Sequence, residues 1–303
     1  MTNELRHHIQ ATRLAQAKRH SETRFADLNV TLGPLAAALR DEAEWLSHDH
    51  LYPAWQVYAD EIERILQFAD IQGQIGRYWP RLIARVPQRD SALDELRVAY
   101  FLDSCGLRIA EWEPPGMDQK KGEFLVLAPS GARVFVEVKG PRWEGELKKG
   151  EIRAGRTMQP KDLYLETRAV APWKQIQFEV DKAYDKFLPT TNNLLVVIGH
   201  RGFISLEHGT AMHASQALYE RSHTGCFTTA KYANIGGIGI FWMANDTNES
   251  RYKMKVFPNR YAHQPLPNHL LEACAADDSR LLKRHQSGGN SSKSIPVKSY
   301  SHL

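Results

Sequence analysis

Apolar residues recur at helical spacing along the first part of the chain. One stripe consists of Trp55, Tyr58, Ile62, Ile65, Leu66 and Ala69. A shorter apolar run, 35–39, follows the Gly33-Pro34 break. Spacing of three and four residues is typical of a helix with one buried face. The pattern therefore predicts a helical N-terminal region over residues 1–88.

The pattern changes after residue 90, where a helix and a hairpin are predicted. The helix begins at Ser91 and ends at Cys105, with Gly106 as its C-cap. Two segments rich in Val, Leu and Phe, 123–128 and 133–139, follow on either side of a Pro-Ser-Gly loop. Short apolar runs separated by such a loop are typical of two antiparallel strands.

The next part of the chain contains one more helical segment and three strand-like ones. An apolar stripe predicts a helix over 173–187, and 194–198 is the continuous apolar run expected of a fully buried strand. Further strands are predicted at 235–243 and at 252–257, the latter at the edge of the sheet. This order predicts an α/β fold in which helices flank a mixed β-sheet.

Three regions follow from these patterns. They are the helical N-terminal region (1–88), an α/β core (89–275) and a C-terminal tail (276–303). The tail is basic, contains the stretch GGNSSKS and lacks apolar periodicity. We therefore expect the tail to be disordered.

The composition is that of a globular protein with a mild basic bias. Hydrophobic residues make up 42% of the 303 positions and charged residues 24%, with a formal net charge of +4. The three cysteines show no zinc spacing and no disulfide pattern. The N-terminus lacks the apolar stretch of a secretory signal, and no apolar run is long enough to span a membrane. We therefore expect a cytoplasmic protein, and the basic bias favours an anionic partner such as DNA.

Two carboxylates and a lysine converge on the predicted hairpin. Side chains alternate along a strand, so Glu137 and Lys139 project from the same face of 133–139. If 129–131 form a three-residue loop, Glu123 lies directly opposite Glu137, whereas a two-residue turn would shift this register. Two carboxylates at that distance repel, a cost that a divalent cation between them offsets.

A third carboxylate, Glu95, lies on the helix before the hairpin. It shares a stripe with Val98, Ala99 and Leu102, and it is the one carboxylate on this apolar face. Buried carboxylates are rare unless they are paired, hydrogen-bonded or bound to a metal. These acids predict a divalent-metal site, and surface salt bridges at a hairpin end are the alternative.

The segments ALDELRVAYFL and KGEFLV…VFVEVKG resemble the PD-(D/E)xK nuclease superfamily over about residues 91–200. The resemblance implies a restriction endonuclease-like core. It assigns Glu137 and Lys139 to the (D/E)xK element, Glu123 to the position of the motif's Asp, and Glu95 to the acidic residue of the first core helix. All four would be catalytic, and the three glutamates would bind Mg²⁺, or Mn²⁺ in its place.

The chain departs from the family pattern at one point. Gly122-Glu123 stands where the family has Pro-Asp. Asp118, five residues earlier, is an alternative metal ligand.

Basic and aromatic residues that suit contact with DNA follow the ExK element. Lysines and arginines would neutralise backbone phosphates, and a tryptophan would stack on a base. Lys182 or Gln175, on the polar face of the 173–187 helix, would contact a phosphate too. A solvated loop and a solvated helix face are the alternatives. The candidates in the loop are Arg142, Trp143, Lys148, Lys149, Arg153 and Arg156.

The sequence therefore predicts a Mg²⁺-dependent endonuclease that hydrolyses phosphodiester bonds in DNA, in restriction and defence or in repair. A homodimer is expected because duplex cleavage usually requires two active sites. The alternative is a non-catalytic nucleic-acid-binding or interaction protein that keeps the same core. Neither GxGxxG nor GxxxxGK[ST] occurs, so nucleotide-dependent chemistry is disfavoured.

Overall fold

The computed structural model describes residues 33–42, 54–84, 88–141, 172–199, 206–246, 249–275 and 280–281. Within these ranges the elements are, in chain order, α1 (Pro34–Glu42), α2 (Ala54–Ile71), α3 (Ile75–Leu82), α4 (Gln88–Ser104), β1 (Arg108–Trp112), β2 (Phe124–Leu127), β3 (Arg133–Lys139), α5 (Pro172–Tyr184), β4 (Asn192–Ile198), α6 (Leu206–Tyr219), β5 (Gly237–Asp246), β6 (Glu249–Pro258), α7 (Asn268–Ala275) and β7 (Arg280–Leu281). None of the helices in the described part of the chain is long and apolar enough to cross a membrane.

The strands form one mixed sheet in the order β1-β2-β3-β4-β5-β6-β7. The first three strands are antiparallel neighbours, β3, β4 and β5 run parallel, and β5 to β7 are antiparallel again. The predicted α/β class, with helices flanking a mixed sheet, is confirmed. Two details differ from the prediction. β1 was not predicted, and β6 is not an edge strand because the two-residue β7 pairs with it.

Helices cover both faces of the sheet at β3. Val134, Val136 and Val138 share a hydrophobic cluster with residues of α4, whereas Phe135 belongs to a second cluster with residues of α5 and α6. This follows from the alternation of side chains along a strand. Glu137 alternates in step with Phe135, and both are buried. The helical layer therefore shields the position of Glu137 on this side of β3 from water.

The hairpin between β2 and β3 has the three-residue loop that the sequence allowed. The amide of Ala128 donates to the carbonyl of Ala132 at 2.9 Å, and Gly131 has a φ of 82°. A left-handed residue at this position is what such a loop requires. Phe124 pairs with Val136, and the amide of Glu123 donates to the Val136 carbonyl at 3.1 Å. The three-residue loop and the strand register up to Phe124 are thus confirmed, whereas Glu123 precedes β2 and its position directly opposite Glu137 stays a prediction.

The helices α1, α2 and α3 pack on the N-terminal half of α4. One hydrophobic cluster joins them, formed among others by Leu39, Ile62, Leu66, Leu82, Ala92 and Leu96. The helical prediction for the N-terminal region is confirmed for residues 34–42, 54–71 and 75–82. The rest of that region lies outside the described residues, as does the predicted disordered tail except for β7.

A buried ionic network ties α2 to α4 and to β6. The Nε of Arg97 donates to Glu61 Oε1 at 2.6 Å, and its Nη2 donates to Glu61 Oε2 at 3.0 Å. The Tyr252 hydroxyl also donates to Glu61 Oε1, and Asp94 Oδ1 lies 3.8 Å from Arg97 Nη1. Glu61 is 0% exposed and Arg97 5%. Charges buried this deeply persist only when they are paired.

Candidate active site

Glu137 is a fully buried carboxylate held by two lysines. The Nζ atoms of Lys139 and Lys186 both contact its Oε1, the second at 2.6 Å. Its Oε2 is buried and has no hydrogen-bond partner within the described residues. Leaving a charged oxygen in this state is costly. The arrangement therefore provides one neutralised oxygen and one oxygen with free acceptor capacity.

Lys139 is held in its charged form. Burial alone would lower the pKa of Lys139, but the contact with the Glu137 carboxylate outweighs it, so the pKa is raised. A lysine with a raised pKa is a poor general base near neutral pH. Its ammonium group instead offers positive charge and hydrogen bonds to an anion.

Lys186 lies in the turn that follows α5. The helix predicted over 173–187 ends at Tyr184, and Lys186 is tied to the loop before β2 because the amide of Met117 donates to its carbonyl at 2.9 Å. Its side chain is 23% exposed. This anchoring brings a second ammonium group to Glu137 from a separate element.

Glu123 stands between two groups of charges. Burial raises the pKa of Glu123 to about 8, with further upward contributions from the carboxylates of Glu95 and Glu137. Lys186 and Lys139 lower it by less. At neutral pH this carboxyl group is therefore mostly protonated in the metal-free protein.

Glu95 is buried, as its apolar stripe predicts, and it is paired with an arginine. The guanidinium of Arg81 in α3 donates to both of its oxygens, at 2.6 Å to Oε2 and 2.5 Å to Oε1. The Ser91 hydroxyl donates to Oε1 at 2.9 Å. The predicted metal site would bring Glu95 together with Glu123 and Glu137, but α4 packs on the side of the sheet opposite Glu137. The pKa of Glu123 responds both to Glu95 on one side of the sheet and to Glu137 on the other.

Tyr78 lines the same region from α3. Its hydroxyl is buried and has no hydrogen-bond partner within the described part of the chain. Burial raises the pKa of Tyr78 strongly, and the charges of Glu95 and Glu123 raise it further. The guanidinium carbons of Arg77 and Arg81 lie 5.1 and 5.4 Å from the centre of its ring. Tyr78 therefore places an unsatisfied hydroxyl close to the acidic residues.

The structure explains why glycine precedes Glu123. A Cβ atom at Gly122 would lie 2.3 Å from the ring of Phe135, which packs edge-on against Phe187. The Gly122 amide also donates to the carbonyl of Pro114 at 3.0 Å. A proline has no amide hydrogen and adds a ring at this point. The departure from Pro-Asp thus fits the local packing of this chain.

The polar face of α5 is only partly solvated. Glu179 is 5% exposed, and burial raises its pKa, with a further contribution from Glu137. Lys182 is exposed, with its Nζ 6.0 Å from the centre of the Phe178 ring, and Gln175 is partly buried. The solvated helix face, the alternative to phosphate contact by Lys182 or Gln175, therefore does not include Glu179. Lys182 remains a candidate for contact with DNA.

The chemistry of the donor set suits a hard divalent cation bound by two carboxylates. Mg²⁺ usually takes only one or two carboxylates and retains several waters. The pKa of Glu123 responds to the Glu137 carboxylate, and Glu137 Oε2 has no hydrogen-bond partner among the described residues. Both oxygens of Glu95 are bound to Arg81. Accordingly, no group of three or more His, Cys, Asp and Glu side chains suited to a metal ion occurs among the described residues.

Glu123 should give the protein a measurable pH dependence. Because its pKa rises from 4.5 when unfolded to about 8 when folded, the folded state is favoured most below pH 4.5 and loses this advantage as pH approaches 8. Urea unfolding of the metal-free protein should show a midpoint that falls between about pH 5 and about pH 8. The fall should be smaller in Glu123→Gln. An equal fall in both proteins would contradict the assignment, and Glu111→Gln, at an exposed carboxylate, serves as the control.

The pKa of Glu123 responds to the other three site residues named from the sequence, although Glu95 lies on the other side of the sheet from Glu137. The structure adds three residues that were missed. The missed residues are Arg81, Tyr78 and Lys186. The sequence offers a signal for Lys186, because it lies on the same polar face of the predicted 173–187 helix as Glu179 and Lys182. The spacing of residues along the chain offers no signal for the contact between Arg81 and Glu95. Asp118 is exposed on the turn Met117–Gln119. The loop candidates Arg142, Trp143, Lys148, Lys149, Arg153 and Arg156 lie outside the described residues.

No protein-family model, no curated protein and no solved structure matches this chain.

Proposed function

We propose that this protein is a metal-dependent endonuclease that hydrolyses phosphodiester bonds in DNA. One observation carries the proposal. Glu137 is fully buried, two ammonium groups occupy one of its oxygens, and the other oxygen has no hydrogen-bond partner among the described residues. A purely structural ion pair would be expected to satisfy both oxygens.

The order of elements supports a restriction endonuclease-like core. From α4 to β4 the chain runs helix, strand, strand, strand, helix, strand, and the ExK element lies on β3. Glu95 lies on the first helix of this order, and Lys139 lies at the C-terminal end of β3. This placement of the motif residues on the elements supports the proposed core.

Each residue has a distinct part in the proposed reaction. Glu123 and Glu137 would hold Mg²⁺, with Mn²⁺ as a substitute. When bound, the ion supplies an electrophile that neutralises charge on the phosphate and makes water a better nucleophile. Lys139 and Lys186 would orient the attacking water and offset the negative charge that develops on the phosphate oxygens. Lys182 and the basic loop 142–156 would position the DNA backbone.

The test is cleavage of plasmid DNA by purified protein with Mg²⁺, Mn²⁺ or a chelator. We expect nicked or linear products with either metal and none with the chelator. Glu137→Ala and Lys139→Ala should remain folded and give no products. Cleavage that survives both substitutions comes from another site or a contaminant and would overturn the proposal.

A second candidate, from a different class, is a DNA-binding protein without catalysis. The observation in its favour is that the acids are neutralised without a metal, since Arg81 pairs with Glu95 and the raised pKa of Glu123 keeps that group protonated. This reading requires DNA binding that weakens with salt and is unaffected by a chelator, with no cleavage by any metal.

A further inference from the structure

In the contact between Arg81 and Glu95, the arginine side chain is much more exposed to solvent than the glutamate side chain. The side chain of Arg81 is 32% exposed, whereas that of Glu95 is 4% exposed. An anion from solution can therefore reach the guanidinium but not the carboxylate. Guanidinium groups bind carboxylates and phosphates by the same bidentate geometry, so a phosphate can replace Glu95 as the partner of Arg81.

The hydroxyl of Tyr78, which has no hydrogen-bond partner among the described residues, points to an alternative state of the same region. It is buried at 0% exposure, and its pKa responds to Glu95 and Glu123. Buried hydroxyls are normally hydrogen-bonded, so a group that binds between these acids would satisfy it. A carboxylate released from Arg81, or a water bound to a cation, would provide an oxygen that accepts a hydrogen bond from the Tyr78 hydroxyl.

We infer that Arg81 pairs with Glu95 in the protein without substrate. When DNA binds, a phosphodiester group replaces Glu95 as the partner of Arg81. Glu95 then becomes available to a divalent cation beside Glu123. The inference rests on the proposed function, because it concerns how the metal site of that nuclease is completed. It assigns the helix α3, which lies before the proposed core, a part in the active site.

The exchange couples binding of DNA to binding of metal. Once Arg81 leaves, Glu95 is a buried carboxylate without its cation, a state that is strongly unfavourable. A divalent cation removes that penalty. Each ligand therefore raises the affinity for the other by the same factor.

The decisive measurement is the Mn²⁺ affinity of the full chain without DNA, at about pH 8.5 so that Glu123 is largely ionised. Arg81→Met should bind Mn²⁺ on the order of tenfold more tightly than the wild type, because Glu95 is released. Arg81→Met combined with Glu95→Gln should lose this gain. Arg77→Met is the matched control, since Arg77 lies on the same helix and over the same Tyr78 ring but pairs with Glu113 at 2.9 Å.

The outcomes separate this inference from the proposed function. Binding of Mn²⁺ that depends on Glu137 but is unchanged or weaker in Arg81→Met would overturn the exchange alone. Absence of Mn²⁺ binding in every variant would overturn both. If Arg81→Met does not fold, Arg81→Lys replaces it, because a lysine cannot hold both oxygens in the same geometry and should give a smaller gain of the same sign. DNA affinity should fall in either variant.

Discussion

Replacing Lys186 with methionine is expected to slow DNA cleavage by about 10²-fold, and replacing Lys139 by about 10²- to 10⁴-fold. Both ammonium groups contact Glu137 Oε1, and both side chains are partly exposed, at 23% and 16%. Each can therefore hold the carboxylate and reach a phosphate. The measurement is single-turnover cleavage of a defined duplex, with folding checked by circular dichroism.

The double variant distinguishes a shared role from independent roles. Because the two lysines act on one oxygen, their effects should not add, and the double variant should be only slightly slower than Lys139→Met. Lys255→Met, at an exposed lysine on β6, should cleave at the wild-type rate. Wild-type cleavage by Lys186→Met would show that this lysine only neutralises Glu137.

Replacing Arg97 with methionine is expected to lower the free energy of unfolding by about 3–5 kcal/mol. Glu61 is 0% exposed and receives two hydrogen bonds from Arg97, so the variant leaves a buried carboxylate without its cation. The Tyr252 hydroxyl would remain as a neutral donor. Urea denaturation followed by tryptophan fluorescence measures the loss.

Two further variants test the cause of that loss. Glu61→Gln added to Arg97→Met should restore part of the stability, because it removes the unpaired charge. Arg133→Met is the exposed control, since Arg133 is 67% exposed and 3.8 Å from Glu111, and it should change stability by less than about 0.5 kcal/mol. If Arg97→Met is as stable as this control, the buried network contributes nothing to stability.

Local patterns were sufficient to predict the half of the acidic site on β3. Strand alternation alone places Glu137 and Lys139 on one face, and the three-residue form of the Pro-Ser-Gly loop pairs Phe124 with Val136, the neighbours of Glu123 and Glu137 in the chain. The apolar stripe of α4 likewise predicted that Glu95 is buried. Each of these follows from spacing within one element or across one turn.

The other half of the site depends on contacts between elements, which spacing does not encode. Arg81 meets Glu95 because α3 packs on α4, and nothing in the periodicity of either helix selects that arginine from its neighbours. β1 has an irregular burial pattern with mostly exposed residues, so it lacks the alternation that marks a strand. The full burial of Glu137 likewise depends on the helices that cover its face.

The hydrogen bond between Met117 and Lys186 links two distant segments of chain at the site. It fastens the turn after α5 to the loop that leads into β2, which carries Glu123 at its end. The positions of Glu123 and Lys186 thus depend on the same backbone hydrogen bond and not on two independent ones. Changes of side chain at the exposed positions 118–121 should leave that anchor in place, whereas adding or removing a residue there would move Lys186 and Glu123 relative to each other. In related sequences, variation in this loop should therefore be in composition and not in length.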